Sequence, residues 1–426
     1  MIYLSGIGGA WMPRRSTVTI LFIVLLSSAA LGGLIWASYH LATQAAGGGR
    51  FWIEWIAVRA RVVDGISPYS PTVASRIHNQ VSDLFNWAPG PAPTYTSPVI
   101  AALVTLPFTL IPNAGLAHTA WLVIQFFLII VTILAVMRLS NWKPAWWFFA
   151  LILPLVLLSL RTSLSWYEGS MVVWVTGLVA AVMMAIRSKR YELAGVLLAF
   201  TLIQPQVVIL WVLFVLIWAG AQRKWTLIFW FFSFFLLLGG LAVLLVPDWL
   251  LQYLRILWNL SEVIPPGTPG DAFQQWWPGL GRQMGWALSA ILGMILLIEW
   301  WLARRSNFRW FLWTACLTLA VSPWIGVPIT PDAHLLLNLP IIIVMAMIEE
   351  RWRRNGKWVI LASVGLVFAW EWLLVFNSLE GGEATARMGL MFPTPLLLLL
   401  GIFWVRWWTI RPKRLLVDEL RESEID

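Results

Sequence analysis

The most constraining feature of this chain is a succession of apolar runs, many of them long enough to cross a bilayer as helices. About 20 apolar residues, at ~1.5 Å rise each, span a hydrocarbon core of ~30 Å. Such runs occupy about 17–39, 97–112, 115–137, 144–160, 170–186, 191–203, 206–219, 225–246, 283–303, 309–325, 334–349, 358–376 and 392–410. They predict an all-α polytopic membrane protein with about 11–13 transmembrane helices. Segment 97–112 is short and carries Pro98, Pro107 and Pro112; segments 191–203 and 206–219 meet at Gln204-Pro205-Gln206. These read as broken or re-entrant elements. Composition agrees: 60% hydrophobic and 12% charged residues leave too little polar surface for a water-soluble fold. The single cysteine, Cys316, excludes a disulfide framework and a cysteine-based zinc site.

Basic residues set the expected orientation. Seven clusters hold 19 of the 29 Lys and Arg: Arg14-Arg15, Arg138/Lys143, Arg187/Lys189/Arg190, Arg223/Lys224, Arg304/Arg305/Arg309, Arg351/Arg353/Arg354/Lys357 and Arg411/Lys413/Arg414. Placing them all in the cytoplasm puts both termini inside and leaves 41–96, 161–169, 247–282, 326–333 and 377–391 outside. The expected organisation is a cytoplasmic N-terminus over 1–16, one multispanning domain over 17–410 and a cytoplasmic tail over 411–426. The net charge of +9 then reports topology, and no basic soluble domain exists to bind nucleic acid. The expected location is a bacterial plasma membrane.

Two outer loops are long. In the first, Gly47-Gly48-Gly49 precedes an aromatic and charged stretch from Arg50 to Val63 that reads as an amphipathic helix in the membrane interface. Asp64-Gly65-Ile66-Ser67-Pro68-Tyr69 then stops it with turn residues. The second, 247–282, carries a Pro/Gly run and Gln274-Gln275-Trp276-Trp277-Pro278. Phosphate-binding glycine loops, dinucleotide fingerprints, metalloprotease motifs and hydrolase serine motifs are all missing from the sequence.

The order of several short motifs resembles a known family. A first membrane helix is followed by an aromatic amphipathic helix closing in Gly65-Ile66-Ser67-Pro68-Tyr69, then by Tyr95-Thr96-Ser97-Pro98 and an apolar segment with Leu106-Pro107 and Ile111-Pro112. Next come Glu168-Gly169-Ser170, a stretch from Gly195 to Phe200 that runs on to Gln204-Pro205, and Ser322-Pro323 ahead of Asp332-Ala333-His334-Leu335. This arrangement, from about 17 to 350, is similar to the GT-C superfamily and to glycosyltransferase family 87, the polyprenol-phosphate-mannose-dependent mannosyltransferases. The resemblance implies a GT-C-like bundle that transfers a hexose, mannose in the family, from a polyprenyl-phosphate-linked donor to a glycan or glycolipid acceptor on the outer face. Three positions depart from the family pattern. Arg50 stands where the family has an Asp, Gly169-Ser170 where it has Gly-Gln, and Gln204-Pro205 where it has Lys-Pro.

Transfer to an acceptor hydroxyl needs a carboxylate to take the proton and positive charge to hold the phosphate. Glu54 is the first expected base and Asp64 the second. Arg59, Arg61 and Arg282 are candidate phosphate or headgroup contacts. Tyr69, Glu168 and Gln204 are candidate substrate contacts, and Trp276 and Trp277 offer faces for sugar stacking. Asp332 and His334 stand in an apolar neighbourhood, where ionisable groups are costly and commonly functional. No cofactor is expected, and one Asp with one His is too few ligands to assign a metal. The other Trp pairs read as interfacial anchors. Two alternatives stay open: a transporter or lipid flippase, and a GT-C-like protein without activity.

Overall fold

The computed structural model describes residues 17–44, 48–85, 94–263, 270, 273–274, 277–325, 331–379 and 393–410. The expected cytoplasmic ends (1–16 and 411–426) and Trp276 lie outside the described residues.

All regular structure among the described residues is helical. Lipid offers no hydrogen-bond partner, so a spanning segment must pair its N–H and C=O groups internally. The elements are α1 (Thr17–Gln44), α2 (Gly49–Asp64), α3 (Pro71–Phe85), α4 (Ala102–Thr109), α5 (Ala114–Leu139), α6 (Trp146–Leu157), α7 (Leu160–Tyr167), α8 (Val172–Arg187), α9 (Tyr191–Phe200), α10 (Pro205–Ala221), α11 (Trp225–Leu245), α12 (Trp249–Val263), α13 (Gly281–Ala303), α14 (Phe308–Val321), α15 (Asn338–Leu379) and α16 (Pro393–Ile410). Short 3-10 turns cover Val99–Ala101, Thr201–Ile203, Ser322–Trp324 and Pro331–Leu337. Among the described residues, five segments are long and apolar enough to cross a bilayer alone: α5, α11, α13, and the two halves Asp332–Arg353 and Asn355–Phe376 that meet at a kink at Arg353.

The expected breaks have visible causes. At Gln204 the backbone leaves the helical region (φ −140°, ψ 73°), because the ring of Pro205 pushes the preceding residue toward extended conformations. A further break was not expected. Segment 144–160 ends early, and α6 and α7 form a pair bent by 55°. Residues 161–169 were expected as an outer loop, yet α7 keeps them helical to Tyr167. The reason is tertiary: the Leu160 N–H at the break donates to Glu371 Oε2 on α15, 3.2 Å away. Likewise 326–333 was expected as a loop, but from Pro331 the chain is already a 3-10 turn packed on α7.

The basic clusters that lie within the described residues gather at one end of the bundle. Arg187 Nη1 donates to Leu139 O (2.8 Å), Trp142 Nε1 to Glu349 Oε2 (2.6 Å) and Gln222 Nε2 to Ser306 O (3.0 Å). Arg351 lies over Trp407 and Arg309 over Trp408, at 4.9 and 5.5 Å from the ring centroids. Such cation–aromatic pairs suit a headgroup layer. Tryptophan also builds the core, since Trp121 and Trp211 are fully buried.

The α9–α11 contact shows how closely these helices pack. A Cβ on Gly195 would sit 2.4 Å from Leu227 O and 2.9 Å from Phe231 N, both backbone atoms that cannot swing aside. Gly195→Ala is therefore expected to force the helices apart and cost about 1–3 kcal/mol, as overpacking does. A lowered thermal unfolding midpoint in detergent would show it, and an unchanged midpoint would refute the tight crossing.

Candidate active site

The polar end opposite the basic one is assembled from α2, α7, the 97–98 turn and the 331–337 turn. Helix α2 puts Arg50 and Glu54 one turn apart on one face. Its first turn is locked in place by close packing. Gly48 has φ +83°, and a Cβ there would meet the His118 ring at 2.1 Å. Phe51 stacks on His118 with centroids 4.6 Å apart, and its N–H donates to Glu168 O at 3.2 Å. Helix α7 therefore ends against the start of α2.

Arg50 stands among three carboxylates. Its Nη2 lies 3.1 Å from Asp332 Oδ1, and its charge also acts on Glu54 and Glu168. Asp332 is buried and fully engaged. Ser170 Oγ donates to its Oδ2 at 2.5 Å, and Ser165 Oγ donates to its backbone carbonyl at 2.8 Å. Glu54 is buried but only half engaged. Ser97 Oγ donates to Oε1, while Oε2 is buried with no hydrogen-bond partner. Burial pushes the Glu54 carboxyl up to about 7, against the opposing pull of the Ser97 hydroxyl and the Arg50 charge. Burial also raises Glu168, with Arg50 opposing and Asp332 adding to the rise. Tyr69 OH donates to Ser97 O at 2.7 Å, and its ring lies 5.3 Å from that of Tyr95.

The structure thus brings Glu54, Tyr69, Glu168 and Asp332 into one neighbourhood, with His334 buried on the same turn as Asp332. Gln204 is buried close by, because the Thr201–Ile203 turn packs on the Val99–Ala101 turn that follows Ser97. Other candidates lie elsewhere. Asp64 is ten residues beyond Glu54, ~15 Å along the helix axis, where it is exposed and paired with Arg76. Arg59 donates to Thr109 O at 2.9 Å and covers the Trp55 ring. Arg61 donates to Gly65 O at 2.6 Å. Trp277 is exposed, with its ring centroid 6.2 Å from that of Phe273. The side chain of Arg282 is exposed, while its N–H donates to Gln274 Oε1 at 3.1 Å. A small cavity lined by Thr132, Thr176, Leu335 and Asn338 lies between α5, α8, the 331–337 turn and α15, and begins one turn beyond Asp332. Among the described residues no group of three or more His, Cys, Asp or Glu side chains could hold a metal ion.

Arg50, Ser97, Ser165 and Ser170 were not expected as site residues. Ser97 and Ser170 stand inside two of the motifs that carry the family resemblance, Tyr95-Thr96-Ser97-Pro98 and Glu168-Gly169-Ser170, and Arg50 and Glu54 are four apart, an ordinary helical ion-pair spacing. Arg161 and Glu371 were also missed. Arg161 falls in the segment expected as an outer loop and Glu371 in the apolar run 358–376, but they form a buried ion pair at 3.2 Å, joined by Thr394 Oγ1 at 3.2 Å from Glu371 Oε1.

The chain was also compared with known proteins. The model of glycosyltransferase family 87 matches residues 95–323, just over half of the chain. That segment holds Ser97, Glu168, Ser170 and Gln204, while Arg50, Glu54, Asp332 and His334 flank it. No curated protein and no solved structure matches the chain. A match of that extent, on a helical chain with several bilayer-length apolar helices, shows that the chain belongs to glycosyltransferase family 87 and is an integral-membrane glycosyltransferase.

Proposed function

We propose that this enzyme transfers a hexose, mannose by family resemblance, from a polyprenyl-phosphate-linked donor to a glycan or glycolipid hydroxyl, with Glu54 as the general base. The observation that carries this reading is the free Oε2 of the buried Glu54 carboxylate, beside the half-exposed Arg50. The acceptor O–H proton passes to Oε2 as the acceptor oxygen bonds to sugar C1. The C1–O bond to phosphate breaks, and polyprenyl phosphate leaves. Arg50, anchored at one nitrogen by Asp332, has guanidinium N–H groups left to hold the phosphate. Asp332 is a poor base by comparison, since both its oxygens are engaged. In this reading the basic end faces the cytoplasm of a bacterial cell, both termini are inside, and transfer occurs at the outer face of the plasma membrane. No cofactor takes part.

The test is a pH profile. A base works only when deprotonated, so kcat/KM is expected to rise tenfold per pH unit below about 7 and to level off above it. That limb should vanish in Glu54→Gln. A profile flat from pH 5 to 8 in the unmodified enzyme would remove Glu54 from the role. Linkage runs the other way for stability. A carboxyl raised above its ordinary value favours the folded state at low pH, and this contribution is lost as pH rises through about 7.

A further inference from the structure

We infer that Gln204, Gln206 and Tyr253 form a subsite for a hexose ring beside Glu54, with α12 as the element that carries its outer wall. The inference rests on Glu54 being the base and adds the group that positions its substrate. Among the described residues, the buried carboxylate and amide oxygens without donors at this end are Gln125 Oε1, on α5 where its Nε2 donates to Ser170 O, and a pair on either side of the Val99–Ala101 turn: Glu54 Oε2 and Gln204 Oε1, on residues 7% and 5% exposed. Buried acceptors are rarely left unpaired, and two of them in one neighbourhood call for a ligand that brings O–H or N–H donors.

The elements around them supply the rest of a sugar site. The break at Gln204-Pro205 turns Gln204 out of the helical ladder and places Gln206 in the first turn of α10. Gln206 Oε1 lies 3.5 Å from the Tyr253 hydroxyl, the limit of a hydrogen bond, so the phenol is free to turn to a better partner. Tyr253 is buried on the inner face of α12 and lies within electrostatic reach of Tyr69 and Tyr95, both of which feel the Glu54 charge. Helix α12 is held over this region by Gln252, whose Oε1 accepts from Ser67 Oγ at 3.0 Å. Its other face exposes Leu250, Leu251 and Leu254, as suits a helix lying against lipid. Amide oxygens accept from sugar hydroxyls, and tyrosine hydroxyls donate to or accept from them. A hexose ring matches this set, and an unfunctionalised lipid chain does not.

The ring could belong to the acceptor or to the donor, and the test separates them. The full chain in lipid nanodiscs is titrated with methyl α-mannoside, methyl glucoside and methyl galactoside, and separately with polyprenyl-phosphate-mannose. Gln204→Met and Tyr253→Phe, which keep side-chain volume, are each expected to weaken binding about tenfold. Loss for the free glycosides assigns the subsite to the acceptor ring, and loss for the lipid-linked sugar alone assigns it to the donor ring. Unchanged affinities in both variants, or no binding of any of these ligands to the unmodified chain, overturns the subsite. Glu54→Gln is expected to bind the sugar and fail in transfer, so the base can stand where the subsite falls.

Discussion

Glu54→Gln is expected to lower sugar transfer about 10²–10⁴-fold, the range lost when a positioned general base is removed. The substitution is a clean probe. Glutamine keeps the volume and retains a carbonyl to accept from Ser97 Oγ, so the local packing has no reason to change. It also relieves the cost of a buried carboxylate, so folding and membrane yield should hold or improve. Asp64→Asn, by contrast, alters an exposed carboxylate that pairs with Arg76, and should leave transfer within about twofold. The measurement is transfer from a polyprenyl-phosphate sugar to a membrane acceptor at matched protein levels. Full activity in Glu54→Gln would end its assignment as base. Loss in Asp64→Asn alone would move the role to Asp64.

Glu371→Ala is expected to cost about 3–5 kcal/mol of stability, the usual loss when one partner of a buried ion pair is removed. Arg161 and Glu371 are 9% and 5% exposed at the side chain. The alanine would leave a buried guanidinium without its counter-charge. It would also strip the Leu160 N–H and the Thr394 hydroxyl of an acceptor, and so free the break between α6 and α7. Because α7 carries Ser165 and leads into Glu168, transfer should fall as well. The double variant Arg161→Met/Glu371→Leu, which removes both charges, is expected to recover most of the stability. Thermal denaturation in detergent distinguishes these outcomes. A single variant as stable as the unmodified chain would show that the pair contributes nothing to the hold on α7.

The break between α6 and α7 also marks the limit of what sequence can convey. Pro205 announces its own break, because a proline constrains its neighbour through local sterics, and Gln204-Pro205 was legible for that reason. Pro154 lies in α6, but the bend after it is stabilised by a carboxylate from Glu371, 211 residues away. No local pattern encodes such a partner. Arg50 makes the same point at the site. In sequence it stands where the family has an acid, and it reads as a loss. In space Asp332 arrives from a turn 282 residues later and pairs with it.

Hydrophobic period and the positions of Lys and Arg determined the fold class, the apolar helical segments and the separation of a basic end from a polar one. These follow from the solvent, since lipid acts on every residue independently of its distant neighbours. The choice among carboxylates was left to tertiary structure. Glu54, Asp64, Glu168 and Asp332 are all acids at the polar end of the chain. Only packing buries one oxygen of Glu54 without a partner, engages both of Asp332 and leaves Asp64 in water. A carboxylate's reactivity depends on what surrounds it, and its surroundings here come from elements far apart along the chain.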